Sequence, residues 1–313
     1  MIFLTLAAGL AVAAGLALAG SGGLYRRAQA GMSPRNLARR AAGSLTGAVV
    51  LTYAGLAMLA TPAVLQVLPR SALTAWPRLA SGLDPGDEAA SWLAACLLLV
   101  SACAVAVRAR RCRRQRRVLR VEPGVGRQER RAGFDLVTLP GAALVAYSLG
   151  CRRPQIVLSE GLRSRLDNEG VAAVVAHEAA HLRARHDRWL HLAGLADAAL
   201  WFVPWVRSAT GGLRLSLEQW ADEDAAREVG RQALRAALLA AAGLEPVPSP
   251  AAALSVADAL AERLAMLAAE PGEGARRLGL AGMSSLAAVA AAGVAGAGGL
   301  GAALAVLHQL CGT

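Results

Sequence analysis

Four long apolar stretches constrain this chain more than any other feature: residues 2–20, 43–68, 89–107 and 281–307. Each is close to the ~20 residues that an α-helix needs to cross the hydrocarbon layer of a bilayer. Hydrophobic residues make up 55% of the chain and aromatic ones only 4%, so the excess is aliphatic and comes in blocks. Pro62 interrupts the second block, which a membrane helix tolerates. For residues 2–20 a cleaved signal peptide competes with a retained span. The run is long for a signal core and no basic residue precedes it, so a retained span is expected. Ala11, Gly15 and Ala19 are spaced by four, as are Gly293, Ala297 and Gly301. Such stripes allow close helix packing in lipid; Ala/Gly-rich stretches also produce them by chance.

Charge sets an orientation. The net charge is +11, and all 33 basic residues are Arg. Arg26, Arg27, Arg35, Arg39 and Arg40 lie between the first two blocks, and eight more lie between Arg108 and Arg120. The loop 69–88 carries Asp84, Asp87 and Glu88 instead, flanked by Trp76 and Trp92 as interfacial aromatics. Basic loops stay inside. The loop 21–42 and the chain beyond Arg108 are therefore expected in the cytosol, with the N-terminus outside. No aromatic residue is interleaved with the Arg run and Gln115 is its one polar uncharged amide, so direct nucleic-acid binding is not expected; contact with anionic lipid is compatible with it. Cys96, Cys103, Cys112, Cys151 and Cys311 are odd in number and show no CxxC spacing, which reads as reduced thiols.

From about residue 118 the pattern changes. Phe134 to Leu139, Ala143 to Leu149 and Gln155 to Leu158 read as short strands between Pro and Gly turns. Helical patterns follow at 168 to about 192 and about 213 to 242, then a loop at Pro246, Pro248 and Pro250 and a helix from about 252 to 269. Leu190 to Val206, with Trp201, Pro204 and Trp205, reads as an in-plane or membrane-dipping segment. The expected architecture is a membrane α-helical protein with an α+β domain and about four transmembrane helices. Residues 1–117 form an N-terminal membrane region of three spans and an Arg-rich cytosolic linker, 118–280 a cytosolic-side domain, and 281–313 a last span.

Chemistry concentrates in His177-Glu178-Ala179-Ala180-His181. On a helix two histidines four residues apart share one face, where both imidazoles reach one metal ion. Asp167 and Asn168 are good N-cap residues for that helix. A catalytic zinc site needs three protein ligands and an open position, and Glu218 on the second helix is the candidate third. Glu178 is placed as general base. Asp222, four residues after Glu218, is placed to hold the free ring nitrogen of a ligand histidine. The parts make a zinc-dependent peptide hydrolase. His186, five residues past His181, leaves the ligand face of a continuous helix and is expected at the surface or behind the ligands. Asp187 is expected to pair with a neighbouring Arg, and Tyr147 to be a buried strand aromatic.

Three blocks in order, Arg153 to Leu162 with its Pro-x-x-Val-Leu-Ser-x-Gly-Leu pattern, His177 to Asp187 and Glu218 to Asp222, resemble the membrane-embedded zinc metallopeptidases of the BlaR/MecR antibiotic-sensor type. The resemblance covers about residues 140–270. It implies a zincin-like (gluzincin) fold, in which the edge of a small sheet binds an extended peptide beside the zinc helix. It also implies one Zn²⁺ held by His177, His181 and Glu218, with Glu178 as catalytic base, and a protein substrate such as a cytosolic BlaI-like transcriptional repressor. Sensor members carry an extracellular penicillin-binding domain; this sequence ends at Thr313, so direct beta-lactam sensing is not expected. HtpX-type quality-control membrane proteases share the His-Glu-x-x-His and Glu-x-x-Ala-Asp elements and are the near alternative. Two other readings are a non-catalytic membrane scaffold using the Arg-rich face, and a metal-dependent hydrolase of small amides or lipids.

Overall fold

The structure is a computed structural model and describes residues 32–67, 85–150, 152–242 and 260–268, together with positions 9, 11–15 and 17. Two helices, α1 (Pro34–Val67) and α2 (Pro85–Leu119), pack on one another. Each opens on a proline, whose fixed φ suits the first helical position. Both contain a stretch long and apolar enough to cross a membrane, Pro34–Val64 and Glu88–Leu119. Where Pro62 disturbs α1, the Ala63 N–H donates to Ser91 Oγ of α2 at 2.9 Å, so the backbone donor stays satisfied. Gly15 in the first apolar block is buried against α1. A Cβ there would run into the backbone of Ala48 and Thr52, so at this position the small residue is what the packing requires.

The remaining expectations for 2–20 and those for 281–307 fall outside the described residues, as do Ala19, Gly293, Ala297, Gly301, Trp76 and the loop at Pro246–Pro250.

Beyond α2 a mixed sheet forms in the order β1-β2-β4-β3: β1 (Arg127–Arg131), β2 (Phe134–Leu139), β3 (Ala146–Leu149) and β4 (Gln155–Ser159). β1–β2 and β3–β4 are antiparallel, and β2–β4 parallel. β4 is buried along its whole length. Its buried Gln155 bonds both backbone groups of Val121, at 3.3 and 3.0 Å, and Tyr147 Oη donates to the Leu119 carbonyl at 3.0 Å. These three bonds fasten the sheet to the end of α2. β1 is absent from the sequence reading because Arg-Gln-Glu-Arg-Arg has no apolar alternation. It joins the sheet as an exposed edge through the tight turn at Gly133 (φ 93°).

Ser159 Oγ caps α3 (Glu160–Arg165), accepting from Leu162 N–H. Asp167 caps α4 (Asn168–Arg183), Oδ1 accepting from Gly170 N–H at 2.7 Å. One face of α4, with Ala179 and Leu182, packs on Leu136, Ile156 and Leu158 of the sheet. Full burial of such aliphatic side chains is worth about 1.5–3 kcal/mol each, enough to fix which face of α4 is left for the site. Ala173 and Ala176, on another face, meet Ala225 from farther along the chain.

Both long helices expected from the sequence are broken. The first ends at Arg183, and Arg185 in the left-handed region (φ 53°) turns the chain into α5 (His186–Ala199). The second is divided by Gly230 (φ 87°) into α6 (Val206–Val229) and α7 (Arg231–Ala242). The stretch Leu190 to Val206 is the end of α5, a turn and the start of α6. Ala193, Ala196, Leu200 and Val206 there pack on Ala38, Ala42, Leu45 and Ala48 of α1, while Trp201 and Trp205 are exposed. A helical segment at 260–268, α8, packs through Leu267 on α4, α6 and α7.

Candidate metal centre

The small residues of α4 and α6 let the two backbones come close enough for short side chains to converge between them. His177 and His181 lie one turn apart on α4, with their Nε2 atoms 3.0 Å from one another. Glu218 reaches across from α6: Oε2 is 3.5 Å from His177 Nε2 and Oε1 is 3.6 Å from His181 Nε2. The three donor atoms all fall within 4.8 Å of one another. Glu178 follows His177 on the same helix and is half-buried.

On the far side of the rings two more groups close in. Asp222, fully buried and one turn past Glu218, places Oδ1 3.0 Å from His177 Nδ1. His186 is also fully buried, and its Nδ1 lies 2.9 Å from His181 Nδ1. The expectation that His186 belongs at the surface or behind the ligands resolves to the second: the break at Arg185 swings it back under His181. Its other face meets Trp220 edge-on, and the Arg35 guanidinium of α1 lies 5.4 Å from the Trp220 ring centroid. Asp187 pairs with Arg116 of α2 at 3.2 Å.

Arg263 escaped the sequence reading. Its Nε and Nη2 each donate to Asp222 at 2.7 Å, and its Nη1 is 3.4 Å from Glu218 Oε2. One Arg among 33 in the chain carries no local mark of this role. His186 was visible only as an extra histidine past the motif.

The electrostatics follow from this packing. Burial alone would lower the His177 pKa, but Asp222 and Glu218 outweigh it and raise it to about 9. Burial and the neighbouring His181 lower that of His186 to about 3, so this ring is neutral. Burial would raise Glu218 and Asp222, yet the histidines hold Glu218 well below the ordinary carboxylate range, and Arg263 followed by His177 lowers Asp222.

Two imidazole nitrogens and a carboxylate oxygen are the donor set of a hydrolytic zinc site. Tetrahedral ligands at about 2.0–2.1 Å from an ion stand about 3.3 Å apart, close to the nitrogen–nitrogen and nitrogen–oxygen separations here. The residues therefore fit a divalent ion of zinc's size and chemistry.

Among the described residues, two helices long and apolar enough to span a membrane, an α+β domain with a small sheet and a partly buried His-His-Glu cluster that could hold a metal ion stand together, the features of a membrane-associated metalloprotein. Residues 89–267, more than half of the chain, match the BlaR1 peptidase M56 family, and the chain belongs to that family. No curated protein and no solved structure matches it.

Proposed function

We propose that this chain is an integral-membrane zinc endopeptidase with a gluzincin-like catalytic domain on the cytosolic side of about four spans. Its membrane parts would be 1–117 and 281–313, flanking a catalytic part at 118–280. His177, His181 and Glu218 would hold one Zn²⁺. The chemistry that such an ion supplies when bound is Lewis-acid polarisation of a carbonyl and acidification of water.

The chain's own groups do the rest. Asp222 Oδ1, 3.0 Å from His177 Nδ1, would keep the ring proton on that nitrogen and leave the Nε2 lone pair directed into the cluster. Glu178 takes a proton from the attacking water on its carboxylate and hands it to the departing amine nitrogen. An extended peptide suits β3, which is an edge of the sheet and contacts α4. The family supports a protein substrate, and a cytosolic BlaI-like repressor is the substrate we propose.

The observation that carries this reading is the convergence of three donor atoms from two helices within 4.8 Å. The test is Glu178→Gln in the full-length chain. Removing a general base costs roughly 10²–10⁴-fold in rate. Cleavage should fall by that much, in purified protein and in a comparison of cellular proteomes, while bound zinc stays at wild-type stoichiometry. Unchanged cleavage by the variant would sink the proposal.

A further inference from the structure

Arg263 reaches the site from outside the two helices that bear the donor atoms. It stands on α8, and four residues later on the same helical face Leu267 is buried among Ala173 and Ala176 of α4, Ala225 of α6, and Leu234 and Ala237 of α7. The Arg231 guanidinium, at the start of α7, donates to the carbonyls of Met266 and Leu267, each at 3.2 Å, and so ties α8 to α7. Seating α8 thus inserts Arg263, whose side chain is only 15% exposed, between two carboxylates.

The consequence for the cluster runs through Asp222. This carboxylate is fully buried, and a buried anion persists only with a partner and good hydrogen bonds. Both prongs of the Arg263 fork engage it, one on each oxygen, so its plane is fixed. Oδ1, held by Nη2, is the same oxygen that faces His177 Nδ1 at 3.0 Å. The third guanidinium nitrogen faces Glu218 Oε2 at 3.4 Å. One side chain therefore touches the carboxylate that orients His177 and the carboxylate offered as a donor. Lysine carries the same charge but has no fork, so it cannot bridge them in this way.

We infer that Arg263 is a positioning residue of the metal centre, and that the centre reaches full metal affinity only when α8 is docked. This rests on the metal reading above. It adds that the site is assembled from three separate stretches of chain, and that anything displacing α8 loosens the metal.

The experiment measures the zinc dissociation constant of the full-length chain by chelator competition, and melts each protein without metal. Arg263→Met should bind zinc roughly 10–100-fold more weakly, the usual cost of losing a group that orients a ligand. Arg263→Lys should recover only part of that loss. Because Arg263→Met strands a buried charge, the neutral pair Asp222→Asn with Arg263→Met is made alongside. It should melt near wild type without metal and bind zinc weakly, which separates weak binding from misfolding; the share that belongs to Arg263 is read from Arg263→Met against Arg263→Lys, because Asp222→Asn by itself also frees the His177 ring. Leu267→Asp, which unseats α8 and leaves Arg263 in the sequence, should weaken zinc in the same direction. Affinity within twofold of wild type for Arg263→Met and the neutral pair overturns the positioning role, and wild-type affinity for Leu267→Asp overturns the docking requirement. Wild-type protein that binds no zinc overturns the metal reading itself.

Discussion

The Nδ1 atoms of His181 and His186 face each other at 2.9 Å, across the one backbone break between α4 and α5. Two ring nitrogens at that distance share one proton. With His181 Nε2 turned to the cluster, Nδ1–H of His181 is the donor, and His186, kept neutral by burial, accepts. His186→Leu should therefore fold and bind zinc roughly 10–100-fold more weakly, while His186→Asn, which keeps an acceptor, should recover part of the loss. Chelator competition gives both numbers; equal affinity in His186→Leu and wild type contradicts the arrangement.

The same break makes a stability prediction. Arg185 holds φ 53° with a side chain attached, a conformation that costs an L-residue about 1–2 kcal/mol. Arg185→Gly should be as stable as wild type or more so. Arg185→Val, β-branched and harder to place there, should be less stable and should lose zinc affinity as His186 moves. Thermal melts with and without zinc separate the two effects.

Asp222 gives the protein a defined acid response. Burial raises its pKa, but Arg263 and His177 pull it below the ordinary value, so the folded state binds fewer protons than the unfolded state. The stability it contributes is complete above the ordinary carboxylate pKa of about 3.9 and is lost as pH falls through the lower folded value. Asp222→Asn should be less stable than wild type in metal-free melts at neutral pH, and the gap should narrow below about pH 4. A gap independent of pH contradicts the ionised, paired state of Asp222.

Much of this was legible in the sequence, for identifiable reasons. The His177/His181 and Glu218/Asp222 pairs follow from helical spacing, so their shared faces could be read before any coordinates. Asp167 as a cap needed only its short carboxylate ahead of an apolar run, and the structure places it so. Gly230 carried a signal as a lone glycine in a helical pattern, where it ends α6. Arg185 carried none, because nothing local makes an arginine left-handed; α4 and α5 impose it by packing on different neighbours. β1 is polar on both faces and exists through its pairing with β2. Arg263 acquires its role from Asp222, 41 positions away, a relation that no local pattern encodes.

Everything proposed here depends on His177, His181 and Glu218 acting as one metal-binding unit. The direct measurement is metal content by mass spectrometry of purified wild type, His177→Ala, His181→Ala and Glu218→Ala after mild chelation. The account predicts one zinc per wild-type chain and a loss in each of the three variants, all of them folded by circular dichroism. A metal-free wild type, or a Glu218→Ala variant that keeps its zinc as tightly as wild type, would contradict it.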